Sequence, residues 1–279
     1  MRITPEKLER YQRDGFLVVE NFVDRESCDR LRARAEELVR DFDPRGIVSI
    51  FSTREQNRLS DDYFLESGDK VRFFFEEDAF LSDGSLKRRK EYSINKIGHA
   101  LHDLDPVFSE FSRTPDIQQL VAALDIEHPL LLQSMYIFKQ PRIGGEVTCH
   151  QDSTFLYSEP QDIAGLWFAL EDANIDNGCL WVMPGGHKLG LKSRWLRAAE
   201  GGMKFEVFDS SPWPEARLIP LEVTKGSLIL LNGLLPHKSR ANRSSKSRQA
   251  YTLHVISARC TYPESNWLKR SPMMPLRGF

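Results

Sequence analysis

In the segment GGEVTCHQDSTF, residues 144–155, His150 and Asp152 stand one residue apart. If this stretch is extended, side chains at i and i+2 share a face, and Gln151 points the other way. An imidazole and a carboxylate brought together inside a fold are costly to bury unless they are paired or bind a metal. The pair alone is weak evidence, because a chain with seven His and many Asp matches H-x-D by chance. A second His would complete a two-His, one-carboxylate triad. That triad holds Fe(II) on one face and leaves open positions for a co-substrate and dioxygen.

Six other histidines compete for that place. His99, His102 and His128 lie in helical or loop sequence and read as packing or surface residues. His187 follows the turn PGG, and His254 sits in a late apolar strand and reads as core. His237 ends LILLNGLLPH, a buried strand running into a turn, and is the expected third ligand. Arg248 follows eleven residues later, at the start of the apolar run RQAYTLHV. Arg rarely opens such a strand facing inward unless it holds an anion, and its planar fork binds a carboxylate through two parallel hydrogen bonds.

These residues need a scaffold that returns distant segments to one mouth. From residue 130 onward, short apolar or alternating runs recur (LLLQSMYIFKQ, EVTCHQDS, GLWFALED, GCLWVMPG, SLILLNG, RQAYTLHVIS), separated by Gly, Pro, Asn and Asp. That texture predicts a mainly β fold, a jelly roll. The first part is different. Thr4 and Pro5 start a helix that Gly15 ends, and FLVVENFV is extended. Asp24 caps a second helix whose Cys28, Leu31, Ala35, Leu38, Val39 and Phe42 form a packing stripe. Residues 52–98 are charged and loop-rich around a strand in SGDKVRFFFEE, and a further helical stretch spans 99–124. The expected organisation is one domain over 1–279, with a helical part at about 1–125 and a jelly-roll core at about 130–258.

The chain is 279 residues long, 41% hydrophobic and 28% charged, with net charge −2. These values describe an ordinary soluble domain and give no basic surface for nucleic acid or membrane lipid. Four scattered Cys without a C-x-x-C fit free thiols. The polar start MRITPEKLERYQRDG is not a signal peptide, and the ending PLRGF is not an S-K-L-type address, so a cytoplasmic location is expected.

The pattern H-x-D, distant His, then Arg resembles the Fe(II)/2-oxoglutarate oxygenases. GLWFALEDANIDNGCLWVMPGGHK, with DYFLESGDKVRFFFEE, SINKIGHALHDLDPVF, QSMYIFKQP, GGEVTCHQD and SRQAYTLHV, is similar to the phytanoyl-CoA dioxygenase family over nearly the whole chain. The resemblance implies a double-stranded β-helix (a cupin-like jelly roll) with N-terminal helices, and iron held by His150, Asp152 and His237. It further implies that Lys96, Met135, Trp167, Ser239 and Arg248 contact 2-oxoglutarate. Ser239 and Arg248 suit its distal carboxylate, Lys96 adds a cation, and Met135 and Trp167 form apolar walls. PGGH stands where the family usually has P-G-S-H, so His187 reads as a turn residue. Asp152 argues against the halogenating members, in which a small residue replaces the carboxylate.

The implied activity is hydroxylation of a small or acyl-type organic substrate, with dioxygen consumed and succinate and carbon dioxide released. The protein is expected to be a monomer or weak oligomer. Two rivals stand beside this reading. One is a metal-binding regulatory jelly roll with little turnover. The other is a hydrolase using the same triad, which leaves Arg248 without a role. The basic cluster LKRRKEY, residues 86–92, is either a CoA-phosphate contact or a solvated loop.

Overall fold

The structure, a computed structural model, describes residues 3–51 and 61–279. Its first helix, α1 (Pro5–Asp14), begins where Thr4 accepts from the Lys7 amide and ends at Gly15, whose φ of 82° is the left-handed conformation that glycine adopts without strain. Strand β1 (Phe16–Val19) follows. Helix α2 (Arg25–Asp41) is capped by Asp24, which accepts from the Ser27 amide at 2.7 Å, and it buries Cys28, Leu31, Ala35 and Val39. After the short helix α3 (Asp62–Leu65) come β2 (Val71–Phe75) and β3 (Ile94–His99). Three short helices, α4 (Leu101–Leu104), α5 (Pro106–Ser112) and α6 (Pro115–Ala122), complete the N-terminal part.

The rest is mostly strands: β4 (Pro129–Ile137), β5 (Val147–His150), β6 (Ala164–Ala169), β7 (Leu180–Val182), β8 (Ser193–Arg197), β9 (Met203–Val207), β10 (Ile219–Leu221), β11 (Leu228–Asn232), β12 (His237–Ser239) and β13 (Ala250–Ser257). A helical turn, α7 (Asp152–Phe155), and two 3-10 turns, Gly186–Leu189 and Glu215–Arg217, interrupt them. The large sheet has the order β1-β11-β6-β13-β4-β3-β2, a second has β10-β7-β12-β5, and β8 pairs with β9 in a separate hairpin. All these pairings are antiparallel, and the two main sheets form the jelly roll.

The large sheet is a middle layer, which explains its nearly unbroken apolar strands. Leu166, Phe168, Leu230, Tyr251, Leu253 and Val255 pack with the helices in one core. Their alternating neighbours Trp167, Ala169, Ile229, Leu231 and Ala250 pack with Leu180 and Val182 of the second sheet in another. The division into a helical part and a later jelly roll is less clean than the sequence predicts. β1 is one edge of the large sheet and β2 the other, so the N-terminal part supplies both edges. A four-residue strand carries too little pattern to reveal a partner more than two hundred positions away.

One carboxylate ties the C-terminal tail to α4. The Asp103 side chain, 1% exposed, lies 2.7 Å from Arg113 Nη2, 2.8 Å from Arg277 Nη2, 3.1 Å from Arg270 Nη2 and 3.3 Å from His102 Nε2. Among the described residues, no helix is long and apolar enough to cross a membrane.

Candidate metal centre

Strand β5 ends at His150, and Asp152 begins helix α7. Gln151 between them is extended, with φ −115° and ψ 138°, so the two side chains fall on one side, as their spacing predicts. The chain enters the helix only at Asp152. Gln151 is the fully buried pivot: its amide donates to Gly190 O at 2.8 Å and Leu234 O at 2.7 Å and accepts from the Lys192 amide at 3.0 Å. His237 opens β12 directly opposite His150 in register, and the two rings lie 4.3 Å apart.

One ligand atom from each of His150, Asp152 and His237 lies within 4.8 Å of the others, so the three can hold one metal ion. Nε2 of each imidazole is 3.7 Å from Asp152 Oδ1. His150 Nδ1 is 2.8 Å from Thr148 O, and His237 Nδ1 is 2.9 Å from Leu235 O. A carbonyl only accepts, so each Nδ1 carries the proton and each Nε2 presents a lone pair, as metal-binding imidazoles require. Burial pulls the His237 pKa down to about 4, so this ring is neutral at neutral pH. For Asp152, burial would raise the pKa, but His237 and His254 outweigh it and hold the carboxyl well below its ordinary range. The donor set is thus two imidazole nitrogens and one carboxylate oxygen, which fits a divalent first-row ion.

Arg248 is 2% exposed. Its Nε donates to Gly178 O at 3.0 Å, its Nη2 to Ser239 Oγ at 3.3 Å, and its guanidinium lies 5.2 Å over the Trp167 ring. Nη1 is buried without a partner among the described residues. Burial lowers the pKa only to about 10, so the group stays cationic. A buried cation with a spare donor is the environment a carboxylate ligand completes. Ser239 Oγ donates to the same Gly178 carbonyl at 2.9 Å. Met135 and Trp167 stand opposite Thr252 on either side of β13, so they belong to one layer. Lys96 Nζ is 3.7 Å from Met135 Sδ and 3.7 Å over the Phe51 ring. The expected co-substrate contacts thus form two groups, Arg248–Ser239–Trp167 and Lys96–Met135, joined through the layer at Thr252.

A cavity of about 480 Å³ has His150 and Asp152 in its wall, with Phe64, Phe155, Trp195 and Trp267 among its aromatic lining. None of residues 86–92 lines it. Lys90 instead donates to Phe42 O at 2.6 Å, beyond the end of α2. The Phe-rich strand β2 packs in the cores. His187 stands apart from the metal group, with Nε2 donating to Gln12 O at 3.1 Å. His99 bonds Ser67, and His102 bonds Ser134.

Sequence reasoning missed His254, whose Nε2 is 3.2 Å from Asp152 Oδ2. Alternation along the strand was the available signal: counting by twos from Arg248 reaches 250, 252 and 254.

A family model described as phytanoyl-CoA dioxygenase (PhyH) matches residues 11–250. A "Phytanoyl-CoA dioxygenase" of Arabidopsis thaliana is 46% identical over 272 residues, covering 97% of this chain and 95% of that one. The Mus musculus "Phytanoyl-CoA dioxygenase domain-containing protein 1" is 45% identical over 282 residues, covering 98% and 97%. Among solved structures, the non-heme alpha ketoglutarate dependent carbocyclase SnoK from nogalamycin biosynthesis superposes with TM-score 0.68 at 16% identity, covering 99% of this chain and 94% of that one. The epimerase SnoN in complex with Fe3+, alpha ketoglutarate and nogalamycin RO gives 0.66 at 15% identity, covering 96% and 89%. These distant structures share the fold, whereas the whole-length relatives and the family match go further: the chain belongs to the phytanoyl-CoA dioxygenase family of 2-oxoglutarate-dependent non-haem iron oxygenases.

Proposed function

We propose that the protein is an Fe(II)- and 2-oxoglutarate-dependent dioxygenase that hydroxylates a small or acyl-type organic substrate. His150, Asp152 and His237 hold Fe(II). Arg248 and Ser239 hold the distal carboxylate of 2-oxoglutarate, Trp167 and Met135 wall it, and Lys96 adds positive charge. Bound iron and dioxygen supply the oxidation that couples decarboxylation of 2-oxoglutarate, giving succinate and carbon dioxide, to hydroxylation of a substrate C–H bond. The protein's share is ligand geometry, a clamp for the co-substrate and an apolar cavity that limits water.

The observation that carries this reading is the buried Arg248 guanidinium with an unpartnered Nη1, on the same scaffold as a two-His, one-carboxylate group. A hydrolase has no dicarboxylate to place there. The test is anaerobic titration of Fe(II)-loaded protein with 2-oxoglutarate, followed by a screen for compounds that stimulate succinate formation. Saturable binding and stimulated succinate are expected. Absence of 2-oxoglutarate binding overturns the assignment, and binding without any turnover favours a regulatory metal protein.

A further inference from the structure

His254 lies outside the three-residue metal group but closer to Asp152 than either member histidine. Its Nε2 is 3.2 Å from Asp152 Oδ2, whereas His150 and His237 both address Oδ1, at 3.7 Å. The two oxygens of one carboxylate are thereby divided: Oδ1 faces the lone pairs of two imidazoles, and Oδ2 faces a third ring. His254 is 5% exposed, and its Nδ1 has no partner among the described residues. It stands in register with Gly165 on β6 and Gln133 on β4. Gly165 has ordinary strand geometry, so turn chemistry does not require glycine there. Space does. A Cβ at position 165 would lie 3.1 Å from Asp152 Oδ2 and 3.6 Å from both His254 Nε2 and Leu231 Cβ.

We propose that His254 is a positioning residue for the metal centre: its Nε2–H holds Asp152 Oδ2, so that Asp152 offers the metal only Oδ1, and Gly165 leaves room for that pair. The inference rests on the reading of Asp152 as a ligand. Its physical basis is the symmetry of a carboxylate. Left to rotate, the group can grip a cation through one oxygen or both. A two-oxygen grip fills a position that the facial triad otherwise leaves open. A donor fixed on the second oxygen removes that option and orients the first. Arg or Lys in that place would put a permanent positive charge beside the cation, which an imidazole need not carry.

The test uses full-length apo-protein titrated with Co(II), followed by calorimetry and by visible absorption, which reports coordination. His254→Phe keeps the volume and removes the donor. It is expected to weaken Co(II) affinity by roughly 10- to 100-fold and to change the Co(II) spectrum. His254→Gln places an amide N–H near the Nε2 position and has no counterpart of Nδ1. It should restore affinity to within about threefold and return the native spectrum. Gly165→Ala should weaken binding by crowding that pair, while every ligand and donor stays in the chain. Native affinity and spectrum in His254→Phe, or a His254→Gln protein no better than His254→Phe, overturns the proposal. If His254→Phe fails to fold, native Co(II) binding by Gly165→Ala overturns it instead. Total loss of Co(II) in His254→Gln would make His254 a ligand, which also overturns it. The underlying ligand reading fails separately, if the wild type binds no Co(II) or if Asp152→Ala binds it as tightly as the wild type.

Discussion

Asp103 and Asp152 are both sheltered carboxylates beside histidine, and they solve the same electrostatic problem in opposite ways. Asp103 is surrounded by Arg113, Arg270 and Arg277, whose charges are permanent. Burial alone would raise its pKa, but contacts with His102, Arg277 and Arg113 hold it below the ordinary range. Around the Asp152 carboxylate the ionisable groups within 4 Å, among the described residues, are the imidazoles of His150, His237 and His254. His237 is neutral at working pH. One carboxylate has its cations built into the chain and acts as a staple for the C-terminal tail. The other has imidazole nitrogens aimed beside it and, on the proposed function, is completed by a cation from solution. The difference between a structural and a metal-binding carboxylate thus lies in whether the nearby positive charge is covalently attached.

The comparison predicts a double dissociation, which is the largest effect expected. Asp152→Ala should abolish metal binding and 2-oxoglutarate turnover while the apo-protein stays folded. Asp103→Ala should leave metal affinity near native but destabilise the protein by about 3–5 kcal/mol, since it strands the buried guanidinium of Arg270 and the partly buried one of Arg113. Metal titration and denaturant unfolding of both variants decide the matter. A metal-binding defect in Asp103→Ala, or native turnover in Asp152→Ala, breaks the comparison.

Arg248 is the next largest. Unlike the three arginines of the staple, it makes no ion pair with a carboxylate among the described residues and keeps an unpartnered Nη1. Arg248→Ala should weaken 2-oxoglutarate binding by roughly 30-fold or more, the equivalent of about 2 kcal/mol lost on leaving a buried anion unpaired. Metal affinity should change little, and Arg248→Lys should recover only part of the loss, because an ammonium lacks the planar fork. Anaerobic titration with 2-oxoglutarate measures all three, and unchanged affinity in Arg248→Ala removes the clamp.

Acid separates the regions more gently. Burial lowers the pKa of His99, His102 and His237 in the folded protein, His237 to about 4. A depressed folded pKa means that unfolding takes up protons as the pH falls. The stability contribution is therefore complete above the ordinary value near 6.5 and is lost as pH drops toward the folded value. For His237 this amounts to up to about 3 kcal/mol. The Asp103 staple, a depressed carboxyl, keeps its contribution until the pH falls below about 4. Apo-protein melting temperature should therefore fall between pH 7 and 5. His237→Gln should flatten part of that slope and abolish metal protection. An unchanged slope contradicts the neutral state of the ring. The smallest effect belongs to His187: His187→Ala should cost about 1 kcal/mol, the worth of its bond to Gln12, and leave metal affinity intact.

How much of this was readable in the sequence depends on the range of the signal. The β texture after residue 130, the caps at Thr4 and Asp24, and the stripe on α2 are local patterns, and the structure carries them. His237, and not His187, is grouped with His150 and Asp152, and the strand and turn context that pointed to it is also local. The same-face argument for His150 and Asp152 is local too: Gln151 between them is extended, although the ladder ends at His150 and a helix starts at Asp152. The Asp103 staple left no trace in the sequence, because its partners at 113, 270 and 277 follow no spacing that a helix or strand imposes. Gly165 likewise reads as an ordinary strand glycine until the carboxylate beside it is seen.

Strand β1 is finished within the first twenty residues, yet its partner is β11: Phe16 pairs with Leu231 and Val19 with Leu228. During synthesis the first strand therefore waits for nearly the whole chain before its edge is covered. Such non-local pairing makes for slow closure, because the entropy of a long loop is lost before the contacts that compensate it form. At about 5–20 residues per second, a ribosome would leave Leu17 and Val19 without their sheet for roughly ten seconds or more. Helices α1 and α2 flank that strand, and a chaperone that shields nascent apolar segments would find its substrate there before any metal ligand has been made.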